Sequence, residues 1–117
     1  MDEKNDSVQA NLEAMDQLDF VGWNNADWEN VFSHYHTDDV LVDVKGSATT
    51  KGLREHIDAM KSLVGGDGTD APQILKHPIS FGSGEWTAVV GEFADGSRMV
   101  TIAGWKDGAI SEEYIWM

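Results

Sequence analysis

The chain contains no cysteine and only two prolines in its 117 residues. Without cysteine there is no disulfide framework, no thiol nucleophile and no thiolate metal site. Basic residues are also scarce: 8 Lys and Arg stand against 21 Asp and Glu, a formal net charge of −13. A field that negative repels phosphate backbones and anionic bilayers. Neither nucleic acid nor a membrane surface is therefore an expected partner, and the simplest use of the acidic excess is a soluble surface. No apolar run approaches the roughly 20 residues needed to span a bilayer. The opening Met1-Asp2-Glu3-Lys4-Asn5-Asp6 lacks the basic and apolar regions of a signal peptide. These features fit a cytoplasmic protein. Phosphate-binding glycine loops, the nucleophile elbow and the HExxH helix are missing too, which leaves nucleotide, serine-hydrolase and zincin chemistry without support.

What is present suits one globular domain. Hydrophobic residues make up 41% and charged residues 25%. A chain of this length buries a core without staples. The reading is a single domain over residues 1–117, with the polar residues 1–7 expected to fray. Val8, Leu12, Met15, Leu18 and Val21 recur at helical spacing. Asn24 to Asp27 reads as a break with a new N-cap at Asp27, followed by Trp28, Val31, Phe32 and Tyr35 at i, i+3, i+4 and i+7. Val40 to Val44 is β-branched and strand-like. Leu53, Ile57, Met60 and Val64 mark a third helix, which Gly65-Gly66 stops before a loop to Pro72.

The remainder reads as a meander. Gln73 to Phe81 is one strand, and Pro78 within it predicts an edge or a bulge. Glu85 to Phe93 is the next. Asp95-Gly96 and Asp107-Gly108 then separate two further runs, Arg98 to Trp105 and Ala109 to Trp116. Asp-Gly between apolar runs favours the type I′ turn, with positive φ at both positions. The expected fold class is α+β: a curved antiparallel or mixed sheet wrapped on three helices, leaving a cone with an apolar interior.

That order of elements resembles the NTF2-like superfamily, which includes the SnoaL-like polyketide cyclases and the ketosteroid isomerases. The resemblance is carried by Asn25-Ala26-Asp27-Trp28-Glu29 through Tyr35, by Asp38-Asp39-Val40, by the Gly46 to Gly52 loop, and by Trp105-Lys106-Asp107-Gly108-Ala109-Ile110-Ser111-Glu112-Glu113. It covers the chain from about residue 8 onward. The resemblance implies a general base at the end of the first strand. An ungapped register puts Asp43 there, and a one-residue slip puts Val44 there instead. The positions matching the isomerase oxyanion hole hold Asp19 and Thr101, not Tyr and a protonated Asp, which disfavours steroid isomerisation itself. The resemblance also implies a pocket-facing residue on the last strand, where Glu113 falls. The family's acidic residue at the end of that strand is replaced by Met117.

The candidate catalytic pair is thus Asp43 and Glu113, with Asp19, Trp23, Tyr35 and Thr101 as candidate substrate-binding residues. Two carboxylates in one apolar pocket push each other's pKa apart, so one holds a proton while the other accepts one. The competing reading leaves Asp43 in water and Glu113 paired to a lysine such as Lys106. Among the five tryptophans, Trp28 and Trp105 read as core. His34 and His36 flank Tyr35 and would point to different faces of a helix, while His56 and His77 have no close companion in sequence. No metal and no cofactor is expected. The expected function is acid/base catalysis on a small hydrophobic carbonyl compound, or else non-catalytic binding of a small hydrophobic ligand in the same cone. Ile110, Tyr114 and Trp116 alternate on the last strand, and an outer face they share opposite Glu113 predicts a homodimer.

Overall fold

The computed structural model describes residues 3–64 and 72–117. The helical stop at Gly65-Gly66 and the loop up to Pro72 lie outside the described residues. Helix α1 spans Glu3–Asp16, so most of the segment expected to fray is helical. None of residues 3–7 is Gly or Pro, and polarity alone does not oppose a helix. The same helix continues in wide π-type turns over Gln17–Trp23, and a second π-type turn covers Trp28–Phe32. The wide turns are carried by hydrogen bonds five residues apart: Asn24 N–H to Asp19 O at 3.0 Å, Asp27 N–H to Gly22 O at 2.8 Å and Phe32 N–H to Asp27 O at 2.9 Å. As read from the sequence, the Asp27 side chain caps this turn, accepting from Asn30 N–H.

Strand β1 (His36–Val44) and the short β2 (Thr49–Lys51) precede helix α2 (Leu53–Leu63). The meander follows as β3 (Ile74–Ser83), β4 (Trp86–Phe93), β5 (Arg98–Lys106) and β6 (Ala109–Trp116). The sheet is open and six-stranded, in the order β2-β1-β6-β5-β4-β3. Only β1 and β6 run parallel, so the sheet is mixed. Pro78 sits on the edge strand β3, where the pairing register also shifts, and so it removes no needed ladder bond. At Asp107-Gly108 both residues take positive φ, at 51° and 84°, as a type I′ turn requires. The other Asp-Gly differs. Only Gly96 is left-handed, because the turn closes through Gly96 N–H to Phe93 O and gives Asp95 an ordinary backbone.

The helices cover one face of the sheet. Val40, Val42 and Val44 of β1 point at them, as do Met99, Thr101 and Ala103 of β5 and Val89 and Phe93 of β4. They meet Met15, Leu18, Trp23, Trp28, Phe32, Ile57 and Met60. Ile110 breaks the simple alternation on β6. Gly104 pairs with Glu112 but Trp105 pairs with Ile110, so Ser111 is an extra residue and the strand bulges. A one-residue bulge flips the side of everything before it. Ile110 therefore lies fully buried on the same side as Glu113, which corrects the reading that grouped it with Tyr114 and Trp116.

The two π-type segments approach at Gly22. A Cβ built there meets Phe32 N at 3.0 Å and Phe32 Cα at 3.2 Å, both backbone. Backbone cannot swing aside as a side chain can. Gly22→Ala is therefore expected to destabilise the fold by about 1–3 kcal/mol through overpacking. A urea midpoint equal to wild type would show that the two segments are not held this closely.

Candidate active site

The acidic centre of the molecule is Glu113, buried on β6. One of its oxygens, Oε1, lies 3.1 Å from His36 Nε2 and 3.0 Å from His56 Nε2. His36 is the first residue of β1, and the preceding turn fixes its ring: His36 Nδ1 is 2.8 Å from Phe32 O. Since a carbonyl only accepts, Nδ1 carries a proton, and an ionised Glu113 also only accepts, so the 3.1 Å contact at Nε2 requires a second proton on the ring. His56 projects from α2 and is 1% exposed. Its Nε2 is off-line for a good hydrogen bond to Glu113, and its Nδ1 has no partner among the described residues. Phe32 packs on both rings, with centroids 4.8 Å from His36 and 5.3 Å from His56.

Burial alone would raise the Glu113 pKa, but the bonds and charges of the two imidazoles overcome it and hold the carboxyl well below the usual range. His56 moves the other way from what its anion would cause: burial dominates and lowers its pKa, with His36 adding to the effect. Glu113 is thus an anion at neutral pH beside an imidazole that resists charging.

A second carboxylate sits in the π-type end of the first helix. Asp19 is 5% exposed. Burial raises its pKa, His77 partly offsets this, and the charge of Glu113 raises it further. His77 of β3 reaches Asp19 Oδ2 with Nε2 at 2.8 Å and Asp16 Oδ1 with Nδ1 at 3.0 Å. Burial works against charge on His77, yet the two aspartates outweigh it and its pKa rises. The Asp16 side chain is 53% exposed, so Asp19, His77 and Asp16 form a hydrogen-bonded chain from the interior to water.

Both carboxylates line one cavity, together with His56, Thr101, Trp23, Phe32, Leu18, Ile115 and three methionines, Met15, Met60 and Met99. The cavity has a volume of about 20 Å³. That is room for about one water. Methionine side chains are unbranched and repack readily, so the three at this wall set how far the cavity opens to a larger guest.

Four of the sequence-derived residues meet here: Glu113, Asp19, Trp23 and Thr101. Trp23 is anchored by Nε1–H donating to Pro72 O at 2.8 Å. Two do not. Asp43 pairs in register with Tyr114 while Val42 pairs with Glu113, so its side chain lies on the sheet face opposite the cavity. There it binds Lys45 Nζ at 2.6 Å and accepts from Thr49 Oγ1 at 3.4 Å. The one-residue alternative, Val44, is buried in the core but is absent from the cavity wall. Tyr35 is half-buried, and the helical pattern ends before it; its carbonyl accepts from Ile110 N–H at 2.7 Å. Glu113 meets histidines and not Lys106. Three of the four histidines were missed as site residues. His56 had a legible signal, since it shares the buried stripe of Leu53, Ile57 and Met60. His36 had none, because it lies on a strand and not on the helix its neighbours suggest.

No family model and no curated protein matches the chain. Solved structures do. The fold is NTF2-like. An NTF2-like protein of unknown function from Burkholderia xenovorans superposes with a TM-score of 0.72 at 16% identity, covering 92% of this chain and 81% of that one. A ketosteroid isomerase-like protein from Kribbella flavida gives 0.70 at 18% identity, covering 98% and 81%. An LEH-like epoxide hydrolase from M. tuberculosis gives 0.66 at 14%, covering 100% and 81%. No helix among the described residues is long and apolar enough to cross a membrane.

The two histidine environments predict opposite titrations. By NMR, His77 is expected to titrate above the ordinary 6.5 and His56 below it. The stabilities follow. The His77 contribution is complete below pH 6.5 and lost as pH rises through its raised value. The His56 contribution is present above 6.5 and declines as pH falls toward its lowered value. His77→Ala should therefore cost more stability at pH 6 than at pH 9. Equal costs would contradict the Asp19–His77–Asp16 chain.

Proposed function

We propose that this protein is an acid/base catalyst acting on a small hydrophobic carbonyl compound, by proton abstraction beside the carbonyl and return of a proton elsewhere. The observation that carries the reading is the pairing of a histidine–carboxylate unit with a second buried carboxylate across one apolar cavity. His56 is the base. Its neutral ring takes the proton from carbon, and the Glu113 anion stabilises the imidazolium that forms. Asp19 is the acid. Burial lets it hold a proton that it gives to the developing enolate oxygen, and His77 with Asp16 returns a proton from solvent. The two carboxylates play different roles because their surroundings push their pKa values apart. Thr101 offers a buried hydroxyl at the cavity wall. This keeps the two-carboxylate logic of the sequence and replaces Asp43 by Asp19.

The fold neighbours include a ketosteroid isomerase-like protein and an epoxide hydrolase, and both names imply acid/base work. The second reading, ligand binding without chemistry, draws on the methionine-lined wall. One experiment separates them: exchange of α-protons into D2O for a panel of hydrophobic ketones, followed by NMR. The wild type is expected to accelerate exchange for a subset, with His56→Ala and Asp19→Asn each reducing the rate about 10²–10⁴-fold and Asp43→Asn remaining near wild type. Ketones that bind without faster exchange would favour the binding reading. A large loss in Asp43→Asn would restore the first-strand carboxylate as the base.

We also propose that the chain pairs with a second copy through the outer face of the sheet. Ile79, Phe81, Trp86 and Trp116 are exposed there, Phe81 at 62%. Ile102 and Tyr114 pair between them on the same face. Such a face is wide for a soluble monomer, and a two-fold pair covers it. Light scattering should give about twice the single-chain 12.9 kDa, and Phe81→Asp or Trp116→Asp should shift it toward the monomer. A wild-type mass of one chain at micromolar concentration would sink the dimer.

A further inference from the structure

We propose that His36, His56 and Glu113 form a binding site for one divalent transition cation, a site whose ligands come from three separate elements. His36 stands at the start of β1, His56 on α2 and Glu113 on β6. Each offers one ligand atom, and these atoms all lie within 4.8 Å of one another. The separations of 3.0 and 3.1 Å between the imidazole nitrogens and Glu113 Oε1 are close to the edge of a coordination shell about 2.1 Å in radius. The span of up to 4.8 Å exceeds the diameter of such a shell, so the three groups must rearrange slightly, the widest pair closing in, to admit the ion.

Several independent features support a cation over a purely hydrogen-bonded cluster. His36 Nδ1–H is already committed to Phe32 O. That bond fixes the ring so that Nε2 faces Glu113, the arrangement by which ligating histidines are oriented, and an ion there would replace the proton shared in that contact. Among the described residues, buried His56 has no hydrogen-bond partner at Nδ1, and its Nε2 is poorly aligned to Glu113, an expensive state at Nε2 that a coordinate bond would relieve. The cavity beside the cluster, with space for about one water, supplies an open coordination position. Two nitrogens and one carboxylate oxygen select ions of the Zn2+, Co2+ and Fe2+ type over Mg2+ and Ca2+, which prefer all-oxygen shells. The net charge of −13 draws cations toward the molecule.

The site uses the base corner of the proposed catalyst but does not rest on its activity. A cation there and a proton on His56 compete for the same group.

The test is direct binding to the metal-free full-length protein. Co2+ is titrated while its visible absorption is followed, and Zn2+ competes it off. One ion per chain is expected, with a low-coordinate cobalt spectrum and affinity reduced at least tenfold in His56→Ala and in Glu113→Gln. His34→Ala, at an exposed position, should bind as wild type does. Circular dichroism monitors folding of the variants. Should either variant unfold, imidazole nitrogen NMR of the wild type decides the matter: Zn2+ should move the His36 and His56 resonances and leave His34 and His77 in place. No stoichiometric binding, undiminished binding in both folded variants, or shifts at His34 and His77 instead would overturn the site. The ketone-exchange assay without metal is unaffected by that outcome, so failure of the cation site and failure of the acid/base reading are separately visible.

Discussion

The interior of this fold is organised by one buried anion. Glu113 sits in a core of valines, methionines and tryptophans where an unpaired carboxylate could not persist. Two imidazoles stand in for the missing water, and each must be delivered by a different element. The parallel pairing of β1 with β6 brings His36 alongside Glu113. The turn from β2 through Gly52 into α2 brings His56 over it. Phe32, pinned against Gly22, packs on both rings. Much of the helical layer can thus be understood as a frame that holds two histidines against one carboxylate.

The consequence for chemistry is a division of labour between two carboxylates. Both are buried to a similar degree, yet their partners differ. Glu113 has two imidazoles and is driven to ionise. Asp19 has one, shared with Asp16, and it also feels the Glu113 charge across the cavity. Burial therefore prevails at Asp19 and hydrogen bonding prevails at Glu113. The asymmetry arises from counting partners, and it gives the cavity a base side and an acid side. The wide π-type turns contribute by placing Asp19, Gly22 and Trp23 on the buried side together.

The sequence made the architecture legible because its signals were local. The apolar stripes of the helices, the β-branched run of β1 and the Asp107-Gly108 turn each specify their element within a few residues. Glu113, Asp19 and Thr101 followed from the register that the resemblance to the NTF2-like superfamily implied, and Trp23 from the surplus of indoles. What stayed hidden depended on register. The Ser111 bulge reversed the side of Ile110, and no propensity marks a bulge at a serine. Asp43 looked like a strand-end base, but β1 alternates so that Val42 and Val44 take the inside. The histidines share no spacing because 20 and more residues separate them, and only the sheet order and the placement of α2 bring them together. Composition pointed to an acidic surface and was silent on the acidic centre.

The central claim is a protonation pattern, and a neutron crystal structure at neutral pH reads it directly. The account predicts no deuteron on Glu113, one on His36 Nδ1 toward Phe32 O, one on His36 Nε2 toward Glu113, and one in the contact between Asp19 and His77. A deuteron on Glu113 with both neighbouring imidazoles neutral would contradict it, because the buried anion on which the base side of the cavity depends would not exist.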